Sequence, residues 1–143
     1  MAVMDYPVTY KRKVRYSDTD HQGVVFNGNY FTYFDDALAD FFDALGLPES
    51  VMAERGHDVT VARAEADFKS AGMPGETMVV RAGVGRVGNT SITFDLSIWD
   101  EDSGRAVAEG REVYVILDRE TGRPVSIPDY LIEALESLQG SAE

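Results

Sequence analysis

An α+β fold, a curved antiparallel five-stranded sheet wrapped around one long central helix, follows from three features of the 143-residue chain. The periodic segments run strand, long helix, short helix, four strands, terminal helix. The four later strands are joined mostly by short turns, and short turns between strands dictate antiparallel pairing. The long helix carries so broad an aromatic stripe that a sheet is the only partner large enough to cover it. Residues 1–143 show no internal repeat and no linker, so one domain is expected.

Val8–Tyr16 alternates as a first strand, with Val8, Tyr10, Arg12, Val14 and Tyr16 on one face and the charged residues on the other. Ser17–Gly23 is a small polar turn closed by glycine. The long helix spans Gly28–Leu45: Phe31, Phe34, Leu38, Phe41, Phe42 and Leu45 recur at spacings of three and four with Ala37 and Ala44 beside them, while Asp35, Asp36, Asp40 and Asp43 form a solvated side. Gly46 and Pro48 end it. Pro48–Arg55 reads as a short helix stopped by Gly56, and Asp58–Phe68 as a strand. SAGMPGE is a turn.

Thr77–Arg86 is a strand with Met78, Val80, Ala82 and Val84 inward, and Gly83 and Gly85 predict a bulge or a close backbone approach. Ser91–Trp99 alternates cleanly, with Ile92, Phe94, Leu96 and Ile98 on one face. Arg105–Leu117 is a long strand with a bulge expected at Gly110. Pro128–Leu138 is a last helix, followed by a frayed tail. An open five-stranded sheet leaves edges, and pairing with another copy is a common remedy, so a dimer is expected.

Composition narrows the function classes. With 13 basic against 25 acidic residues the net charge is −12, and the single dense basic cluster, Lys11–Arg15, lies on a strand. A nucleic-acid partner is not expected, although a few local cations could still hold a phosphorylated small molecule. No apolar run is long enough for a membrane span, and the N-terminus has no apolar signal core ahead of its charges. Cytoplasm is the expected compartment. The absence of cysteine removes disulfides and thiol nucleophiles. Two histidines without cysteine are too few good ligands for a metal centre, and no Gly-x-Ser-x-Gly elbow is present for a serine triad.

The stretch YSDTDHQGVVFNGNYFTYFDDALADFF, residues 16–42, concentrates the chemistry. Asp18 and Asp20 stand a few residues before a helix start marked by Asn27, Gly28 and Asn29. Free N–H groups at a helix N-terminus favour negative charge, and a carboxylate beside them can hydrolyse an acyl compound. Both aspartates equally suit turn chemistry, bonding their own backbone nearby.

DTDHQGVVFNGNYFTYFDDA resembles the signature of the 4-hydroxybenzoyl-CoA thioesterase branch of the hotdog-fold thioesterases. There the pattern is Asp-x-Asp-x-x-Gly-x-Val, then a Tyr on the opening turn of the long helix; Asp18, Asp20, Gly23, Val25 and Tyr30 fill those places. AEADFKSAGMPGET, residues 64–77, is similar to the family's second strand and its turn, and RVGNTS, residues 86–91, to its third turn. The likeness covers residues 8 to 118.

The resemblance implies an acyl-CoA thioesterase that needs no cofactor, coenzyme A being part of the substrate. Asp20 would be nucleophile or general base, and a backbone N–H near Asn27 or Gly28 would hold the oxyanion. Asp18 would be structural. Gly23, Val25 and Tyr30 come from the motif. Phe26, Tyr33, Val59 and Val61 would shape an acyl tunnel between two subunits, and Glu65 could approach the site across that dimer. Arg63, Lys69 and Arg86 are the basic side chains within reach of the CoA phosphates. A homodimer is implied, and a homotetramer built from it. The chain departs from relatives at Asn27, where Tyr or His is frequent, so Asn27 could contact the carbonyl or cap the helix. His21, beside Asp20, could contact the site or face solvent. The alternative reading is a non-catalytic hotdog dimer that binds acyl-CoA or an acyl carrier protein; a hotdog dehydratase would need a histidine its motif lacks here.

Overall fold

The structure, a computed structural model, describes residues 9–142, with side chains to Leu138. Five strands are present: β1 (Thr9–Lys13), β2 (His57–Phe68), β3 (Thr77–Val87), β4 (Ser91–Asp100) and β5 (Ala106–Asp118). Three α-helices accompany them: α1 (Asn29–Ala44), α2 (Glu49–Glu54) and α3 (Asp129–Ala142). The sheet order is β1-β3-β4-β5-β2 with every neighbour antiparallel. The chain therefore crosses from one edge of the sheet, through α1 and α2, to the other edge before returning to the middle. This is the expected hotdog arrangement of a sheet around one long helix.

Strand β1 is shorter than Val8–Tyr16; Val8 lies outside the described residues. Past Lys13 the chain leaves the sheet and closes a 3-10 turn at Tyr16–Asp18, where Asp18 N–H donates to the Arg15 carbonyl at 2.9 Å. Tyr16, expected on the inward face, is consequently 88% exposed.

α1 buries Tyr30, Tyr33, Phe34, Ala37, Leu38, Phe41 and Phe42. Phe31 and Leu45 are only partly covered and Ala44 is exposed, so the buried stripe is rotated from the expected one toward the two tyrosines. Phe41 and Phe42 meet Phe94 edge-on at 5.5 and 5.8 Å between ring centroids, and Tyr114 packs on Phe94 at 5.2 Å. Each such ring, fully buried, contributes about 1.5–3 kcal/mol. The helix ends where Gly46 turns to φ +73°, and the Gly46 and Leu47 amides donate to the carbonyls of Asp43 and Phe42.

Met78, Val80, Ala82 and Val84 of β3 and Ile92, Phe94, Leu96 and Ile98 of β4 are all buried, as their alternation predicts. The β3–β4 register shifts between Val84 and Arg86, placing the irregularity at Gly85. Gly110 is different. The register of β5 runs through it without a break on both sides, so the expected bulge is absent. A Cβ there would lie 2.5 Å from Phe34 Cε2. Gly110 is thus a seat for a ring of α1.

α3 extends past the expected Leu138; Glu143 of the tail lies outside the described residues. Among the described residues no helix is long and apolar enough to cross a membrane.

Candidate active site

The segment between β1 and α1 is tied down at Asp18, and the ties explain why two aspartates a residue apart differ. The Asp18 carboxylate is buried and accepts from Arg12 Nη2 at 2.8 Å, from Arg12 Nε at 3.2 Å and from the Arg15 amide at 2.9 Å. Burial works against its charge, yet the guanidinium and the amide outweigh burial and hold the carboxyl below the usual range. Arg12, the charged interruption on an apolar strand face, is there to meet Asp18.

The Asp18 carbonyl does a second job. It accepts the Phe26 amide at 2.9 Å and the Asn29 Nδ2 at 2.8 Å. Since Asn29 opens α1, one oxygen binds the far side of the Asp20 turn to the start of the helix.

Asp20 stands in a tight hairpin. Its amide donates to the Val24 carbonyl at 3.0 Å, and Thr19 and Val25 face each other across it. Gly23 closes the turn at φ +75°, a backbone angle that glycine adopts without strain. Asp20 Oδ1 accepts the Gln22 amide at 2.9 Å, a side-chain turn that fixes the carboxylate's rotamer. Asp20 is half-buried; its neighbour His21 is exposed.

Asn27 and Gly28 precede the first turn of α1, and among the described residues neither amide donates a backbone hydrogen bond. Two free donors at a helix N-terminus form an electropositive end. Phe26 is 50% exposed, and its ring lies so close to Gly28 that a Cβ there would be 2.7 Å from it.

Val25 and Tyr30 are buried packing residues. The Gly72 peptide touches both. Its N–H donates to the Tyr30 hydroxyl at 3.0 Å, and its carbonyl accepts the Val25 amide at 2.9 Å. The turn after β2 thereby braces the hairpin and the helix from a third side.

Farther along α1, Asp35 borders a cavity of about 250 Å³ with Leu38, Phe42, Val59, Val61 and Tyr114. Val59 and Val61 were expected at an acyl pocket, and they line this cavity. Tyr33, grouped with them from sequence, is instead buried in the core. Asp35 is exposed, as expected of the polar side of α1, and it has a buried neighbour as well. It meets Glu112 of β5, which is 2% exposed, and burial followed by the neighbouring Asp35 charge pushes Glu112 up to about 8. Glu112 Oε2 meets no N–H or O–H among the described residues. Burial and the Asp35 charge together favour the protonated form of Glu112.

The remaining predicted side chains lie on the sheet's outer face. Arg63 and Glu65 form an exposed ion pair at 3.1 Å, and both line a broad polar concavity with Arg86 and Arg111. Lys69 is exposed and outside that set. His57 accepts or donates at Nδ1 to the Tyr130 hydroxyl, 2.8 Å away, which ties α3 to the start of β2. Among the described residues no three His, Cys, Asp or Glu side chains cluster as metal ligands.

Sequence reasoning placed Arg12 on β1 and Asn29 at the start of α1 without assigning their bonds to Asp18, and it passed over Gly72, Arg105 and Glu112. A lone charge on an apolar strand face was a usable signal for Arg12 and for Glu112; nothing local marks Gly72.

Comparison with known proteins gives the family and the fold. The sequence model of the thioesterase-like superfamily matches residues 14–135. An Aquifex aeolicus protein described as a candidate esterase is 30% identical over 91% of this chain and 98% of its own. The acyl-CoA thioesterase YbgC of Helicobacter pylori is 25% identical over 88% of this chain and 98% of its own. A thioesterase of Thermus thermophilus, solved with coenzyme A and zinc, superposes with a TM-score of 0.82 at 27% identity, covering 94% of this chain and 96% of that one.

Proposed function

Because the chain belongs to the thioesterase-like superfamily, we propose that it hydrolyses an acyl-CoA thioester to the free acid and coenzyme A, with Asp20 as nucleophile or general base. One observation supports the assignment of Asp20: the Asp18 carbonyl accepts both the Phe26 amide and Asn29 Nδ2, which links the Asp20 hairpin to the amino end of α1. Of the two motif aspartates, Asp18 is occupied by Arg12, and Asp20 keeps Oδ2 without a hydrogen bond among the described residues.

In the general-base route Asp20 takes a proton from water, and the hydroxide adds to the thioester carbonyl carbon. In the nucleophilic route an Asp20 oxygen adds directly, giving a mixed anhydride that water then opens. Either way the carbonyl oxygen becomes an oxyanion, and the amides of Asn27 or Gly28 supply the aimed donors. Collapse expels the CoA thiolate; in the general-base route it takes the proton that Asp20 drew from water, and in the nucleophilic route it is protonated from solvent, while the water that opens the anhydride gives up its proton. Phe26, exposed beside Gly28, and the cavity bordered by Val59 and Val61 are the proposed surfaces for the acyl group. Arg63 and Arg86, with Lys69 nearby in sequence, are the proposed cations for the CoA phosphates.

A second copy completes the site in this reading. β2 ends the sheet order, so one of its edges has no strand beside it, and Val61 and Phe68 are each 49% exposed along it. Pairing of β2 with its copy covers that surface and brings Glu65 toward the other protomer; a tetramer of two such dimers is the fuller assembly. Light scattering at two protein concentrations measures the state directly.

The deciding experiment is thiol release from a panel of short, long and aromatic CoA esters by the wild-type chain and by Asp20→Asn. Release by wild type and its loss in the variant support the assignment. Release from no ester favours a binding protein, and equal release by the variant removes Asp20 from the chemistry.

A further inference from the structure

The Asp20 hairpin and the first turn of α1 are joined through the Gly72 peptide as well as through Asp18; backbone bonds tie the ends of the segment that carries Gly72 to Val107 and Val14, and one arginine spans its interior. Between β2 and β3 the chain runs through Ser70–Glu76. Gly72 is closely packed: a Cβ on it would lie 3.0 Å from Val25 Cγ2 and 3.2 Å from the Met78 sulfur.

Arg105, just before β5, reaches across to this segment with one planar guanidinium. Nε donates to Ser70 Oγ at 3.0 Å, and Nη2 to the Ala71 carbonyl at 3.0 Å. Nη1 and Nη2 donate to the two Glu76 oxygens at 3.0 and 2.8 Å. Glu76 Oε1 accepts the Met73 amide as well, at 2.8 Å. Residues 70, 71 and 76 are thus fixed on both sides of Gly72 by one side chain. A paired fork of this kind sets direction as well as distance, which a lysine cannot reproduce.

We propose that Arg105 is a positioning residue for thioester hydrolysis: through Ser70, Ala71 and Glu76 it holds the Gly72 peptide, and the Gly72 peptide sets the spacing between the Asp20 hairpin and the amino end of α1. This rests on the reading of Asp20 and the α1 amides as the reacting site. It goes beyond that reading because Arg105 touches none of those groups.

The test uses the full chain with Arg105→Met, Arg105→Lys and Glu76→Gln, read by steady-state kinetics and by hydrogen exchange. Arg119→Met, which removes an exposed 3.6 Å pair with Asp58, serves as the control that keeps wild-type kcat. Arg105→Met is expected to lower kcat by about 10- to 100-fold, the effect of a misplacement on the order of 1 Å, with KM within about threefold of wild type. Exchange should quicken in peptides covering 70–76 and 20–30 and stay unchanged in β4. Arg105→Lys and Glu76→Gln should fall between Arg105→Met and wild type.

Wild-type kcat in Arg105→Met, with Asp20→Asn inactive, overturns the inference while leaving the Asp20 assignment standing. So does a loss of kcat that only tracks the folded fraction, with exchange quickened everywhere. If the wild-type chain cleaves no ester, the functional reading fails, and exchange still decides the coupling: quickening at 20–30 in Arg105→Met sustains it, and no change refutes it.

Discussion

Arg12 Nη2 lies 2.8 Å from Asp18 Oδ1 and Arg12 Nε lies 3.2 Å from Asp18 Oδ2, a two-point ion pair that pins the chain where it leaves β1. Its side chains are 35% and 10% exposed, so the pair is shielded on the carboxylate side. Arg12→Met leaves that carboxylate unmatched. It should cost roughly 2–4 kcal/mol, less than a fully buried pair, and should lower kcat more than the stability loss alone explains, because the Asp18 carbonyl anchors Asn29. Urea unfolding together with kcat at low temperature measures the two parts separately.

The same pair gives stability a sign with pH. The folded Asp18 carboxyl lies below its unfolded value, so its contribution is present above about pH 4 and is lost as pH falls through the folded value. Asp18→Asn should flatten the acid limb of the stability curve relative to wild type, while lowering stability at pH 7. An unchanged acid limb would mean that Asp18 is not a titrating contributor.

Glu112 works in the opposite direction. Its folded pKa is raised to about 8 by burial and then by Asp35, so the folded state holds the proton over a range where the unfolded state has released it. Stability should fall as pH rises from about 4.5 toward 8. Glu112→Gln keeps a donor toward Asp35 and cannot ionise. Thermal melts should show it more stable than wild type at pH 8.5 by roughly 2–4 °C for each kcal/mol gained, with the gain shrinking below about pH 5.

Gly110 carries the ring of Phe34. Gly110→Ala should destabilise by about 1–3 kcal/mol through overpacking, since the nearest atoms to the new Cβ include the Glu65 backbone carbonyl at 2.8 Å as well as the ring. Pairing it with Phe34→Leu should recover part of the loss in a double-mutant cycle; full additivity would show that the ring is not what the methyl meets.

The chemical route at Asp20 is separable by isotope. A single turnover in water labelled with oxygen-18 leaves the label in the acid product if Asp20 acts as base. Label found in the Asp20 carboxylate after one turnover shows that an anhydride formed.

The order of elements and the inward faces of β3 and β4 were determined by the sequence alone, because periodicity and turn residues are local properties; the stretch from Tyr16 to Phe42 was singled out for the proposed site in the same way. The motif likewise separated Asp20 from Asp18 before any coordinates. What tertiary structure decided were the partners: Arg12 with Asp18, six residues on across a 3-10 turn, Gly72 with Tyr30 and Val25, Arg105 with Glu76, Asp35 with Glu112, and the seat that Gly110 makes for Phe34. All but the first depend on two segments far apart in the chain being brought together, and periodicity reports which face a residue occupies but not which side chain the fold sets opposite. The same limit hid the meeting of Asp35 with Glu112 and misjudged Gly110 as a bulge. A charge on a helix and a glycine in a strand read alike from sequence, and only the element packed against them settles what they do.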